Sequence, residues 1–197
     1  YYKDVQDENG NVIGKTLTSE YSEATEYLCD DPTPKLYGGF GTSFSFYGFD
    51  ISASFTYSIG GLSYDSGYAN FLEAPGGTVG KNFHKDVLNA WSPSNPNSDQ
   101  PRFFYGDTDL SINGSSDRFL VDASYLNFQN AQIGYTFPSN LTSKLKVDKI
   151  RVYATCDNIV YWSRRHGFDP RTSFSGGTSY EGNSPVRTIS FGLNLMF

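Results

Sequence analysis

The side chains with the most reactive chemistry in this sequence are few and scattered. There are two histidines, His84 and His166, and two cysteines, Cys29 and Cys156. Neither histidine stands in a nucleophile motif, no Gly-rich phosphate loop is present, and no two carboxylates are set apart as acid and base. Two Cys and two distant His do not make a metal centre. Cys29 lies in a polar loop and Cys156 within a strand, so neither spacing nor context supports a disulfide. Asp7, Asn9 and Asn11 alternate like the oxygen ligands of a calcium loop, but Val12 stands where such a loop needs Gly and no Glu closes it. A plain turn at Glu8-Asn9-Gly10-Asn11 is the expectation, with no metal and no cofactor. The formal net charge of -6, from 21 acidic and 15 basic residues, argues against nucleic acid as a partner. What remains is a set of arginines and aromatics in polar stretches: Arg102, Phe103, Phe104, Tyr105, Arg118, Trp162, Arg164 and Arg165. Aromatic faces stack on sugar rings and guanidinium forks bind carboxylates or carbonyls. These are the candidates for binding a ligand or a partner, with ordinary loop packing as the alternative for each. No enzyme activity is expected.

The elements that must position these residues are strands. Hydrophobic residues are only 38% of the chain, yet aromatics are 17%, with fifteen Tyr, sixteen Phe and twenty Gly beside a single Met. That composition favours strands and turns. No apolar run reaches the length of about 18 residues that a membrane-spanning helix needs, but alternating barrel strands would escape such a scan. Alternation is clearest from Phe49 to Ile59. There Phe49, Ile51, Ala53, Phe55, Tyr57 and Ile59 share one parity, and Asp50, Ser52, Ser54, Thr56 and Ser58 the other. Leu36 to Phe46 alternates likewise, and Tyr47-Gly48 joins the two as a hairpin whose strands are each about eleven residues, enough to cross a bilayer at a tilt. Tyr125 to Phe137, Lys149 to Trp162 and Val186 to Phe197 complete five strands. In the last, Ile189, Phe191, Leu193, Leu195 and Phe197 form an apolar face opposite Thr188, Ser190 and Asn194. The first half of Tyr125 to Phe137 is mixed, with Asn127, Gln129 and Asn130, as if it rose beyond the apolar band.

The connections alternate in length. Tyr47-Gly48 and Pro138 to Asp148 are short; 60–122 and 163–185 are long. Within the first long loop, Asn82 to Trp91 is expected to form a short helix with Phe83, Val87, Leu88 and Trp91 on one face, Trp91 being its buried anchor. A loop this long argues against a compact soluble domain and fits the outer side of a membrane barrel. Tyr1 to Thr18 reads as a further hairpin, giving five to seven strands, fewer than the roughly eight of the smallest single-chain barrels. An open sheet in lipid leaves unpaired backbone groups costing several kcal/mol each. The chain, which begins at Tyr1 without a Met or signal peptide, is therefore expected to be a piece of a larger barrel. A passive porin or adhesin barrel and a soluble sugar-binding β-sandwich are the competing readings.

Several motifs, in order, resemble one family. Pro34-Lys35, Gly38-Gly39, Tyr47-Gly48-Phe49-Asp50 and Gly60-Gly61 look like one hairpin signature, and Asp86 to Trp91 with Pro101-Arg102 like the following loop. Asp122-Ala123-Ser124-Tyr125-Leu126 with Ile133-Gly134-Tyr135 and Pro138, then Arg151-Val152-Tyr153, Asp157-Asn158 and Asp169-Pro170, continue the series. Pro185 and Arg187 to Phe197 match its closing strand. The chain is similar to the carboxy-terminal part of the barrel in SusC/RagA-type TonB-dependent outer-membrane transporters. The resemblance implies an all-β, antiparallel transmembrane barrel of 22 strands, with 60–122 and 163–185 as long extracellular loops and a plug domain elsewhere. It implies outer-membrane import of oligosaccharides or peptides, energised through TonB and shared with a SusD-like surface lipoprotein. In that setting Phe49, Ile51, Phe55, Ile189, Phe191, Leu193, Leu195 and Phe197 would face lipid. Arg102, Phe103, Tyr105, Arg118, Trp162 and Arg164 would meet the substrate or the lipoprotein.

Overall fold

The computed structural model describes residues 1–72, 80, 82–103, 114–172 and 184–197. They divide into two compact units: one of 1–30 and 64–120, and one built on Asp31–Ser63, Val121–Gly176 and Gly182–Phe197. Between them they hold nine strands. The first two, β1 (Tyr2–Gln6) and β2 (Val12–Leu17), belong to the first unit; the others are β3 (Leu36–Phe46), β4 (Phe49–Ile59), β5 (Leu62–Tyr64), β6 (Leu120–Asp122), β7 (Tyr125–Thr136), β8 (Lys149–Ser163) and β9 (Thr188–Met196).

The second unit is an antiparallel sheet of five strands in the order β3-β4-β7-β8-β9, open at both edges. Its strand periodicity is the one written in the sequence. Ladder partners put Phe44 beside Ile51, Ile133 and Ala154, and Phe191 beyond them, so one face is apolar across all five strands. Aromatic rings line up on it: Phe40 stacks on Phe55 at 5.0 Å and Phe55 on Phe128 at 4.5 Å. Such cross-strand pairs add about 0.5–1.5 kcal/mol each beyond area burial. Tyr47 takes a positive φ of 44° and Gly48 one of 84°, the geometry a two-residue hairpin turn demands. A Cβ on Gly48 would also meet the Thr136 carbonyl oxygen at 2.7 Å.

The mixed first half of β7 has a different cause from the one its polarity suggests. Register slips at Gln129, which has no ladder partner, while Ser54 pairs with Asn130 and Phe55 with Phe128. The bulge changes parity, returning Phe128 and Leu126 to the apolar face and turning Asn127 to the polar one. The strand does not leave the apolar band. The closing strand is shorter than its alternation, ending at Met196, so Phe197 lies just past it and is 83% exposed.

The first unit has a small conventional core. Helix α1 (Ser66–Leu72) brings Ala69 and Leu72 against the fully buried Phe119, with Tyr64, Tyr68 and Val87 around them. The expected helix from Asn82 to Trp91 is instead a 3-10 turn over Lys85–Asn89. Its cap is the His84 side chain, which accepts from the Asp86 amide at 3.2 Å, and not Asn82. Tyr68 donates its hydroxyl to Asp86 at 2.8 Å, tying this turn to α1. The tighter winding separates the residues that a 3.6-residue period would align. Val87 packs on the core while Leu88 is 92% exposed and Trp91 is 40% exposed, so neither is an anchor.

The amino-terminal hairpin β1-β2 is a two-stranded sheet of its own, so the membrane-type sheet has five strands and not seven. Its turn is the plain one: the Asp7 carboxylate accepts from the Asn9 and Asn11 amides at 2.9 Å and from the Asn11 side chain at 3.1 Å. Those bonds hold the Asp7 carboxyl below its ordinary value. Both cysteines are free thiols. No described helix is long and apolar enough to cross a membrane, which says nothing of strands.

Candidate functional site

Opposite the apolar face, the five-stranded sheet carries an ordered polar face. Near the hairpin turn, Asp50 on β4 and Arg151 on β8 pair across the whole width of β7. Arg151 Nε donates to Asp50 at 3.0 Å and Nη2 to its other oxygen. Gly134, between them on β7, makes this possible: a Cβ there would lie 2.6 Å from both groups. The Arg151 guanidinium also lies 4.9 Å from the centroid of the Tyr153 ring, which in turn covers Gly192 on β9.

Midway along the strands, Asn130 donates to Asp157 at 2.7 Å and to Thr155 at 3.1 Å. Further on, Asn127 donates to Thr56 at 3.2 Å, and its oxygen accepts from Arg171 at 2.7 Å. Arg171 forms a two-point pair with Asp169 at 2.8 and 2.7 Å, and its guanidinium sits 4.3 Å from the centre of the Tyr161 ring. Side chains of this pair are only 10% and 7% exposed. Burial pushes the Asp169 carboxyl up, but hydrogen bonds from Arg171 and Ser184 outweigh it and hold the group below its ordinary value. Removing one partner of a buried pair typically costs about 3–5 kcal/mol, because a charge is left uncompensated.

The expected site residues are divided between the two units. Arg102, Phe103 and Arg118 belong to the first unit, Trp162 and Arg164 to the second. Arg102 is exposed. Phe103 packs edge-on against Phe83 at 5.0 Å. Arg118 donates to Gln100 and lies 5.5 Å from the Phe119 ring centroid. Arg164 faces Asp122 at 3.4 Å while remaining 76% exposed, an arrangement worth at most about 1 kcal/mol. The Asp122 carboxyl is held below its ordinary value chiefly by the Ser124 hydroxyl. Trp162 pairs with Leu126 at the far end of the apolar face. Phe104 and Tyr105 lie outside the described residues. Of the lipid-face set, Phe49, Ile51, Phe55, Ile189, Phe191, Leu193 and Leu195 all stand on the apolar face.

The residues that loop reasoning passed over are Asn127, Tyr161 and Arg171. The break in alternation at Asn127 and the Asp169-Pro170 step were the available signals. Neither reveals that a loop arginine reaches a strand amide, because the contact bridges 44 positions.

No family model matches the chain. Individual proteins do. It is 30% identical over 190 residues to TonB-dependent receptor P3 of Formosa agariphila, covering 90% of this chain and 18% of that protein. It is 26% identical over 209 residues to TonB-dependent receptor SusC of Bacteroides thetaiotaomicron, covering 100% of this chain and 19% of that protein. Among solved structures, the RagAB peptide importer in its open-open state superposes with a TM-score of 0.74 at 26% identity, over 100% of this chain and 20% of that one. A further structure of the RagAB peptide transporter gives a TM-score of 0.75 at 25% identity, over 98% and 22%. The chain thus spans about a fifth of the length of these relatives. A five-stranded antiparallel sheet with one continuous apolar face and one hydrogen-bonded polar face defines the class: part of the wall of an outer-membrane β-barrel. Within that class, the chain belongs to the SusC/RagA-type TonB-dependent transporters. These relatives are receptors and transporters and not enzymes.

Proposed function

We propose that this chain is the carboxy-terminal wall and loop portion of an outer-membrane importer of oligosaccharides or peptides. It works with a SusD-like surface lipoprotein and draws energy through TonB. The observation that carries the reading is the pair of faces on one sheet. Phe191 and Leu193 on the apolar face are 82% and 59% exposed, while the opposite face sets its charges in pairs, Asp50 with Arg151 and the largely buried Asp169 with Arg171. Water would penalise the first face and lipid would penalise the second, so a lipid exterior and a wet lumen satisfy both. Among the described residues β3 and β9 each have one ladder partner, which supports further strands closing a barrel of about 22. Multiple crossings of the outer membrane follow from the same reading. The same reading puts the segments 60–122 and 163–185 on the extracellular side, with Arg102, Phe103, Tyr105, Arg118 and Arg164 as the candidates to meet a substrate or the lipoprotein.

The test is uptake by cells carrying the full-length parent, and by cells deleted for it, supplied with labelled oligosaccharides or peptides. Energised uptake that a protonophore abolishes, and that deletion removes, is expected. Passive equilibration of the same solutes into liposomes bearing the purified parent would replace the importer by a porin. Recovery of the parent as a soluble protein without detergent would replace it by a sandwich.

A further inference from the structure

The segment that leaves β8 is tied to the polar face by Arg171. Arg171 shares its fork with Asp169 on its own segment and donates to Asn127 on β7, while its guanidinium sits 4.3 Å from the centre of the Tyr161 ring on β8. Asn127 passes the connection on to Thr56 of β4. A single guanidinium therefore joins a loop to two strands directly and, through Asn127, to a third. The backbone is folded back to allow it. Gly167 adopts a φ of 85°, the Ser163 hydroxyl lies 2.9 Å from both the Arg165 and the Phe168 carbonyl oxygens, and Phe168 is buried at 6% exposure. Arg164, in the same segment, has an exposed and screened ion pair, which fastens little. Arg171 and Asp169 are shielded from water, so their bonds are charge-assisted and unscreened, and Asn127 is itself only 5% exposed.

We propose that Arg171 is a latch. It holds residues 164–172 against the polar face, so that this segment lines the wall instead of swinging free of it. The statement that the wall is that of a barrel lumen rests on the function proposed above; the fastening itself does not. An arginine is required because the fork must serve a carboxylate and an amide oxygen at once while sitting 4.3 Å from the centre of an aromatic ring.

Hydrogen exchange on the purified full-length parent in detergent tests this. Arg171→Ala should speed exchange of the amides of 165–171 by about tenfold or more, leaving the amides of β7 and β8 as they are. Arg171→Lys keeps the charge but not the fork, and should recover only a minor part of the protection. Asn127→Ala leaves the Asp169 pair intact and should give a smaller acceleration in the same segment, which keeps the test open if Arg171→Ala fails to assemble. Unchanged exchange in Arg171→Ala, or full protection in Arg171→Lys, would overturn the latch. Fractionation of the same cells checks the barrel separately: parent outside the outer membrane removes the lumenal assignment without touching the exchange result.

Discussion

In the first unit Phe119 is wholly buried, with Ala69 and Leu72 closed around it; in the five-stranded sheet Phe191, Leu193 and Ile189 stand outward. The same chemistry is used in opposite senses. The unit of 1–30 and 64–120 has a small core of Phe119, Ala69 and Leu72, with tyrosine hydroxyls bonding its segments. Tyr21 donates to the Ser115 carbonyl at 3.1 Å, and Tyr27 donates to Asp117. The acceptor carboxylate raises the Tyr27 hydroxyl above its ordinary pKa. The sheet has almost no apolar interior, and what it shields is polar: Asn127, Ser58 and the Asp169 pair. One unit is organised by exclusion of water. The other turns its apolar face outward, and its polar face is held by hydrogen bonds and ion pairs.

The contrast is breakable at graded cost. Phe119→Ala should destabilise the first unit by about 3–5 kcal/mol, through lost transfer energy and an unfilled cavity. Hydrogen exchange of the full-length parent should show α1 and β6 losing protection while β4, β7 and β8 keep theirs. Spread of the loss into the sheet would mean the two units are not separate in energy. Leu193→Arg should cost about 2–4 kcal/mol if its position is near the middle of the membrane, and membrane yield should collapse, whereas Asn194→Asp should assemble normally. Equal yields of the two would reverse the assignment of faces. Gly134→Val should cost about 1–3 kcal/mol by forcing Asp50 and Arg151 apart, and heat-modified mobility on gels should show a lower unfolding temperature. An unchanged temperature would mean the pair is not held across β7.

A smaller and reversible effect is expected from pH. The Asp169 carboxyl titrates below its ordinary value, so its contribution is complete above about pH 4 and declines as pH falls through the lowered value. Amides of 165–171 should lose protection in that acid range relative to β8 amides at the same pH. In Asp169→Asn they should already be unprotected at neutral pH. Leu88→Ser should change stability by no more than about 0.5 kcal/mol, since Leu88 touches almost nothing. A larger loss on thermal denaturation would mean that a partner covers it.

How much of this was legible in the residues follows from which forces are local. Period-two alternation is a property of adjacent residues, so β3, β4, β8 and the face of β9 could be read directly, as could the turn at Tyr47-Gly48 and the bonded loop at Asp7. The residues alone leave the count at five to seven, and only the pairing of Tyr2–Gln6 with Val12–Leu17 as a sheet of their own reduces it to five among the described residues. What failed did so where a non-local contact overrode a local period. The 3-10 turn at Lys85–Asn89 is set by His84 and by the bond from Tyr68, and the parity change at Gln129 by the need to keep Phe128 in the row with Phe55.

The candidate site divides the same way. Arginines and aromatics could be picked out by type, and their family could be named from motif order. Their grouping could not: it depended on Gly134 letting two strands reach across a third, and on Arg171 returning over 44 positions to Asn127. The sequence alone determined the two faces of each strand, because side-chain direction follows from the pleat. Only the tertiary structure decided which charges meet on the polar face, because pairing between strands is set by register and by the gaps that glycines leave.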